Sequence, residues 1–164
     1  MPYEKAWVVG ERDGPLQRLV GLYKFERAKA AYKSLGDLLL DVLPELPTET
    51  VIVPIPTTTG RIRERGYDHM LLIARYVAQA RGLKYQQLVR RQTNTKQRQA
   101  TASKRDLQAK NAFFVSGKID ADTPFLIIDD VMTTGATIKY ASLALCNAGA
   151  KHVWVAIIAR QTLD

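Results

Sequence analysis

The stretch FLIIDDVMTTGAT, residues 125–137, decides how the rest of the chain is read. Its four opening apolar residues suit a strand buried on both faces. The run then breaks abruptly into Asp129 and Asp130, followed by three threonines around Gly135. From Thr134 to Ala148 the spacing of Ile138, Ala141, Leu145 and Ala148 predicts a helix, with Gly149 placed to stop it. A strand therefore ends in acids and a tight turn opens a helix.

Working outward, HVWVAIIAR (152–160) reads as a second buried strand, and AFFV (112–115) as a short one. TVIVPIP (50–56) is a further strand, but Pro54 and Pro56 remove donors from one edge, so it must end near Val53 or present a bare edge there. TTTGRIRERG (57–66) is polar and basic and reads as a loop. Asp68 then caps a helix carrying Met70, Ile73, Ala74, Val77 and Ala78 on one face, with Gly82 at its end.

LKYQQLVRR (83–91) is a weaker strand candidate, leading into about twenty polar residues that read as a lid, with Ser103 and Asp106 at capping-box spacing. Residues 15–43 carry one or two helices, broken near 24–26, and Pro44 and Pro47 close that region. The alternation of strands and helices predicts an α/β fold, a mostly parallel sheet flanked by helices. A single domain over residues 1–164 is expected, with 1–48 as a small helical hood and 49–164 as the α/β core.

The composition is that of a folded protein: 46% hydrophobic and 24% charged, with a formal charge of +8. That charge favours anionic partners, whether nucleic acid, membrane surface or a phosphorylated small molecule. One cysteine and two histidines exclude an internal disulfide and a cysteine/histidine zinc site. No apolar run is long enough to span a bilayer and the opening residues lack a secretion signal, so a cytoplasmic location without membrane attachment is expected. Cys146, on an apolar helix face, is expected in the core, and His69 and His152 in structural or surface roles.

The 125–137 stretch combines two chemistries. Unpaired amides at a helix start, the positive end of its dipole, Gly135 and the hydroxyls of Thr133, Thr134 and Thr137 suit a phosphate group. The carboxylates of Asp129 and Asp130 would repel that anion, and they suit neutral donors such as the hydroxyls of an attached ribose. Neither GxxxxGK[ST] nor GxGxxG occurs, which removes support for P-loop and dinucleotide sites. The stretch closely resembles the ligand loop of type I phosphoribosyltransferases, which binds the ribose phosphate of phosphoribosyl pyrophosphate. The resemblance implies a Rossmann-like type I phosphoribosyltransferase fold. It assigns Asp129, Asp130, Val131, Met132, Thr133, Thr134, Gly135, Ala136 and Thr137 to the ribose phosphate, with the two acids as catalytic residues.

VPIPTTTGRIRERGYDH (53–69), together with Thr95, Gln99, Arg105, Asn111, Ala112 and Phe113, resembles the ComF family of phosphoribosyltransferase-like proteins. That resemblance implies a pyrophosphate site at Thr57, Thr58, Thr59 and Gly60, flanked by Arg61, Arg63 and Arg65, and a catalytic flap within residues 90–104. Guanidinium forks suit pyrophosphate, whereas the plain alternative for these arginines is a solvated basic surface. Two departures stand out. Fuller members carry a cysteine-rich zinc module with no counterpart here, and Asp68 stands where the family pattern has asparagine.

The implied reaction is transfer of a phosphoribosyl group from phosphoribosyl pyrophosphate to an acceptor, with release of pyrophosphate. Mg²⁺ is the expected cofactor, held through the ligand's oxygens rather than by protein carboxylates. Arg91, Lys96 and Arg98 are the flap candidates. A homodimer is expected by resemblance alone. Two rival readings remain open at this stage: a competence accessory protein that binds single-stranded DNA, and a sensor that binds the phosphoribosyl ligand without turnover.

Overall fold

The computed structural model describes residues 1–25, 28–92 and 112–161. A five-stranded parallel sheet runs in the order β1 (Lys5–Glu11), β7 (His152–Arg160), β6 (Pro124–Met132), β2 (Val51–Pro54), β3 (Lys84–Tyr85). The alternation of its central strands explains both cores. Leu126 and Ile128 of β6 face one side with Ile52, Ala156 and Ile158, while Phe125 and Ile127 face the other with Val53, Val155 and Ile157. Strands covered on both faces have no polar side, hence their unbroken apolar sequences.

The first face is covered by α1 (Gly14–Phe25), α2 (Ala31–Val42) and α4 (His69–Arg81), through Val20, Leu35, Leu39, Ile73 and Val77. The second is covered by α5 (Ala136–Asn147), through Ile138, Ala141 and Leu145, and by an antiparallel ribbon of β4 (Val89–Arg91) and β5 (Phe113–Val115). No helix of the described residues is long and apolar enough to cross a membrane.

Four expectations change. Residues 5–11 form the edge strand β1, so the region before residue 48 is not all helical, and α2 packs into the same core as α4. Residues 59–65 form a short helix, α3 (Thr59–Arg65), closed by Gly66 at φ 83°. The 83–91 segment splits into β3 and β4, which belong to different sheets. Cys146 is exposed, its thiol facing the Pro2 carbonyl oxygen at 3.5 Å. The capping-box pair Ser103 and Asp106 lies outside the described residues.

The prolines act as their chemistry requires. Ile55 N donates to Ile128 O at 3.0 Å and Gln86 N donates to Ile52 O at 2.9 Å, so alternate residues of this strand face β6 and β3. Pro54 and Pro56 therefore fall on the β3 side, and β3 pairs only with Val51 and Ile52. Asp68 caps α4, its carboxylate accepting Leu71 N at 3.2 Å, and Gly82 ends it at φ 64°.

α2 and α4 meet at Gly36, where an added Cβ would stand 2.3 Å from Tyr76 Cδ1. The Tyr76 ring is held by its hydroxyl donating to Asp37 Oδ1 at 2.6 Å and by edge contact with Tyr32. Gly36→Ala is accordingly expected to lower unfolding free energy by about 1–3 kcal/mol, as overpacking does in tight cores. Urea unfolding checks this, and an unchanged midpoint would show that Tyr76 can yield.

Candidate functional site

The topology fixes where a ligand should sit. From β2 the chain moves outward to β3, and from β6 it moves outward the other way to β7, so the order reverses between β2 and β6. In open parallel sheets such a switch point leaves a crevice beyond the strands' carboxyl ends. A cavity of about 420 Å³ lies there, lined on one side by Ile55, Pro56, Thr57, Thr58 and Arg61. Its other side is formed by Asp129, Asp130, Val131, Thr133 and Thr137, and Lys24, His69, Met70 and Arg91 complete it.

β6 outlasts its neighbour. Its pairing with β2 ends at Ile128, whereas on the other edge it continues with β7 as far as Met132 and Arg160. Asp129 and Asp130 thus lie within the strand, exposed along one edge only to the cavity. Both are buried, at 7% and 4% exposure.

Each carboxylate keeps one oxygen uncommitted among the described residues. Asp129 Oδ1 accepts the amide of Asp130 at 2.9 Å. Asp130 Oδ2 takes both other partners, Lys24 Nζ at 2.7 Å and His69 Nε2 at 2.7 Å. That leaves Asp129 Oδ2 and Asp130 Oδ1 as acceptors beside the cavity.

The two acids titrate in opposite directions. Burial, then repulsion from Asp130, raises the Asp129 carboxyl above its ordinary range. Burial presses the same way on Asp130, but the His69 hydrogen bond and the Lys24 charge outweigh it and hold that carboxyl below its ordinary range. Asp130 is the charged member of the pair.

After β6 the chain turns through Gly135 at φ 76°, the left-handed region that side chains other than glycine resist. No described residue accepts a hydrogen bond from the amides of Thr133, Gly135, Thr137 or Ile138, and Ala136 N reaches only Thr134 Oγ1 at 3.4 Å. Met132, Thr134, Gly135 and Ala136 line a smaller recess of about 30 Å³ that shares Asp129, Thr133 and Thr137 with the main cavity. The whole 129–137 segment therefore surrounds one connected space.

The other expected residues divide. Thr57, Thr58, Arg61 and Arg91 line the cavity, and Arg91 also lies over the Phe113 ring at 5.0 Å. Thr59 and Gly60 open α3 without lining it. Arg65, expected toward the anion, turns inward instead: it is buried, its Nε donates to Lys24 O at 2.9 Å, and a guanidinium nitrogen sits 2.7 Å from His69 Nδ1. Arg63 also lies off the lining, and Lys96 and Arg98 lie outside the described residues.

Lys24 and His69 are site residues that sequence reasoning missed. His69 is buried, and its partner Asp130 is a carboxylate, so Nε2 carries the donated proton and Nδ1 presents its lone pair toward Arg65. A histidine directly after a helix-capping acid and a basic segment was the available signal. Among the described residues, no three His, Cys, Asp or Glu side chains converge to hold a metal.

No protein-family model matches the chain. It is 29% identical over 97% of its length to the DNA utilization protein YhgH of Salmonella typhi, covering 73% of that protein. It is also 29% identical to competence protein ComFC of Streptococcus pneumoniae, over 80% of this chain and 57% of that one. Among solved structures, the allosteric regulatory enzyme of purine biosynthesis superposes with a TM-score of 0.56 at 20% identity; the match covers 77% of this chain but only 25% of that enzyme. Adenine phosphoribosyltransferase from Trypanosoma brucei, solved with AMP, pyrophosphate and ribose-5-phosphate, gives 0.53 at 15% identity over 92% of this chain and 69% of that one. By sequence the chain is a relative of the ComF competence proteins, and by fold it is a type I phosphoribosyltransferase-like α/β protein.

Proposed function

We propose that the cavity binds phosphoribosyl pyrophosphate and that the protein transfers its phosphoribosyl group to an acceptor, releasing pyrophosphate. The observation that carries this reading is the pair of uncommitted oxygens, one on each of Asp129 and Asp130, directly before a turn whose amides have no described partner. Two acceptors side by side suit the vicinal hydroxyls of ribose, and the amides suit its 5-phosphate.

The leaving pyrophosphate would lie toward Thr57, Thr58 and Arg61, across the cavity from the 5-phosphate turn. Departure of pyrophosphate leaves positive charge on the anomeric carbon, and the charged Asp130 nearby favours that state while Arg61 favours the departing anion. Mg²⁺ would neutralise the phosphates and take its oxygens from them and from water, since the two carboxylates are engaged with protein donors and with the sugar. A neighbour of the same fold, solved with pyrophosphate and ribose-5-phosphate, supports the ligand class.

The single-stranded DNA alternative draws on the names of the relatives. Among the described residues the cavity lining has no Phe, Tyr or Trp on which bases would stack, which favours the small ligand. Calorimetric titration with phosphoribosyl pyrophosphate plus Mg²⁺ tests the proposal, followed by a screen for pyrophosphate release with candidate acceptors. Saturable binding that depends on Mg²⁺ is expected. Binding without turnover would support the sensor reading, and no binding would reject both.

A narrower test uses the sugar. 2-Deoxyribose 5-phosphate leaves one buried acceptor oxygen without its hydroxyl, a loss of about 1.5–3 kcal/mol for a hydrogen bond to a charged group. It should therefore bind roughly 10- to 100-fold more weakly than ribose 5-phosphate. Equal affinities would remove the sugar from the acids.

A further inference from the structure

The segment Arg65-Gly66-Tyr67-Asp68-His69 does something other than meet an anion: it grips the end of α1. Arg65 Nε donates to Lys24 O at 2.9 Å, and its guanidinium lies 5.9 Å from the Phe25 ring centre. Tyr67 donates its hydroxyl to Tyr23 O, and the Tyr23 hydroxyl in turn donates to His69 O at 2.7 Å. Tyr23 is fully buried and its ring packs against Tyr67 at 5.4 Å.

These contacts bind the last turn of α1 on three sides and leave the Lys24 side chain one direction, into the cavity. There Nζ meets Asp130 Oδ2 at 2.7 Å. Lys24 and His69 share that single oxygen, which turns the other oxygen of Asp130 toward the space beside Asp129.

We propose that Lys24 is a positioning residue of this site, delivered by the 65–69 segment so that its ammonium fixes both the charge and the orientation of the Asp130 carboxylate. The inference rests on the ribose-phosphate reading for its purpose, though not for its geometry. A lysine at this point lets Asp130 stay ionised beside Asp129, where two buried acids would otherwise share one charge. The charged and titratable groups around Asp130 are Lys24 and Tyr23 from α1, Arg65 from α3, His69 from α4, Arg91 from β4 and Asp129 from β6.

The experiment follows the Asp130 carboxyl by carbon-detected NMR across pH in the wild-type chain and in Lys24→Met, Lys24→Arg and Tyr67→Phe. Ribose 5-phosphate affinity is measured at the same pH values. Lys24→Met should move the Asp130 midpoint upward by about one pH unit or more. Affinity in mildly acidic buffer should fall about tenfold with it. Lys24→Arg should restore most of both, and Tyr67→Phe should shift both in the Met direction by less. An Asp130 midpoint that does not move in Lys24→Met overturns the proposal, as does ribose 5-phosphate affinity equal to wild type at every pH. If the midpoint moves but the wild-type chain binds no ribose 5-phosphate, Lys24 stands as the counter-ion of Asp130 and the ligand reading falls.

Discussion

Asp130→Ala is expected to lower unfolding free energy by about 3–5 kcal/mol and to abolish ribose 5-phosphate binding. The reason is the number of groups that depend on one carboxylate. Lys24 Nζ and His69 Nε2 both end on its Oδ2, and Arg65 stands behind His69. Removing the acid leaves a largely buried ammonium without a counter-charge, which costs more than the pair itself contributes. Asp130→Asn keeps an acceptor oxygen for both donors and should lose less stability while still weakening the ligand. Urea unfolding at neutral pH separates the two variants. If Asp130→Ala unfolds at the wild-type midpoint, the network is not holding the fold at this point.

The neighbouring acid should behave oppositely. Asp129→Asn is expected to stabilise the chain by about 1–2 kcal/mol in alkaline buffer, in the range of other stabilising replacements at strained functional sites. It should still weaken ribose 5-phosphate, because the amide cannot supply a carboxylate's charge to the hydroxyl. The sign follows from linkage. The Asp129 carboxyl titrates higher in the folded chain than in the unfolded one, so its contribution is complete below the ordinary carboxylate range. That contribution is then lost as pH rises through the raised value. The Asp130 carboxyl titrates lower when folded, so its contribution is present above the ordinary range and is lost as pH falls through the lowered value. Wild type and Asp129→Asn should therefore diverge in stability as pH rises from mildly acidic to alkaline. Parallel curves would mean that Asp129 is not held protonated by its surroundings.

Much of this arrangement was legible in the sequence, for identifiable reasons. β6 and β7 carry long apolar runs because both their faces are covered, and α4 combines a capping acid, a helical stripe and a glycine stop. The turn at 133–137 was readable because chemistry and position coincide: carboxylates, then small polar residues around a glycine at positive φ. β1 was not legible. It is an edge strand of half-buried residues flanked by Glu4, Lys5 and Glu11, so its short apolar stretch resembles a tail. α3 was missed because TGRIRER has one apolar residue and thus no periodicity, its end being set instead by Gly66.

The site residues missed share a different cause. Lys24 and His69 are separated from Asp130 by most of the chain, and nothing local in either marks a partner. Only the parallel crossing of β2 and β6, with α1 returning over the same face, brings them to one oxygen. Arg65 was misassigned for the same reason: its residue type suits pyrophosphate, but α3 turns it toward the end of α1. Type and motif predicted the ligand class, whereas tertiary packing decided which cations face the ligand and which support the acids.

The central claim is that one sugar phosphate joins the carboxylates to the turn that follows them, and a crystal structure with ribose 5-phosphate tests it most directly. The account predicts the phosphate against the amides of residues 133–138, one ribose hydroxyl on Asp129 Oδ2 and its neighbour on Asp130 Oδ1, with Lys24 still on Oδ2. A phosphate seated elsewhere, or a sugar that leaves both oxygens untouched, would contradict it.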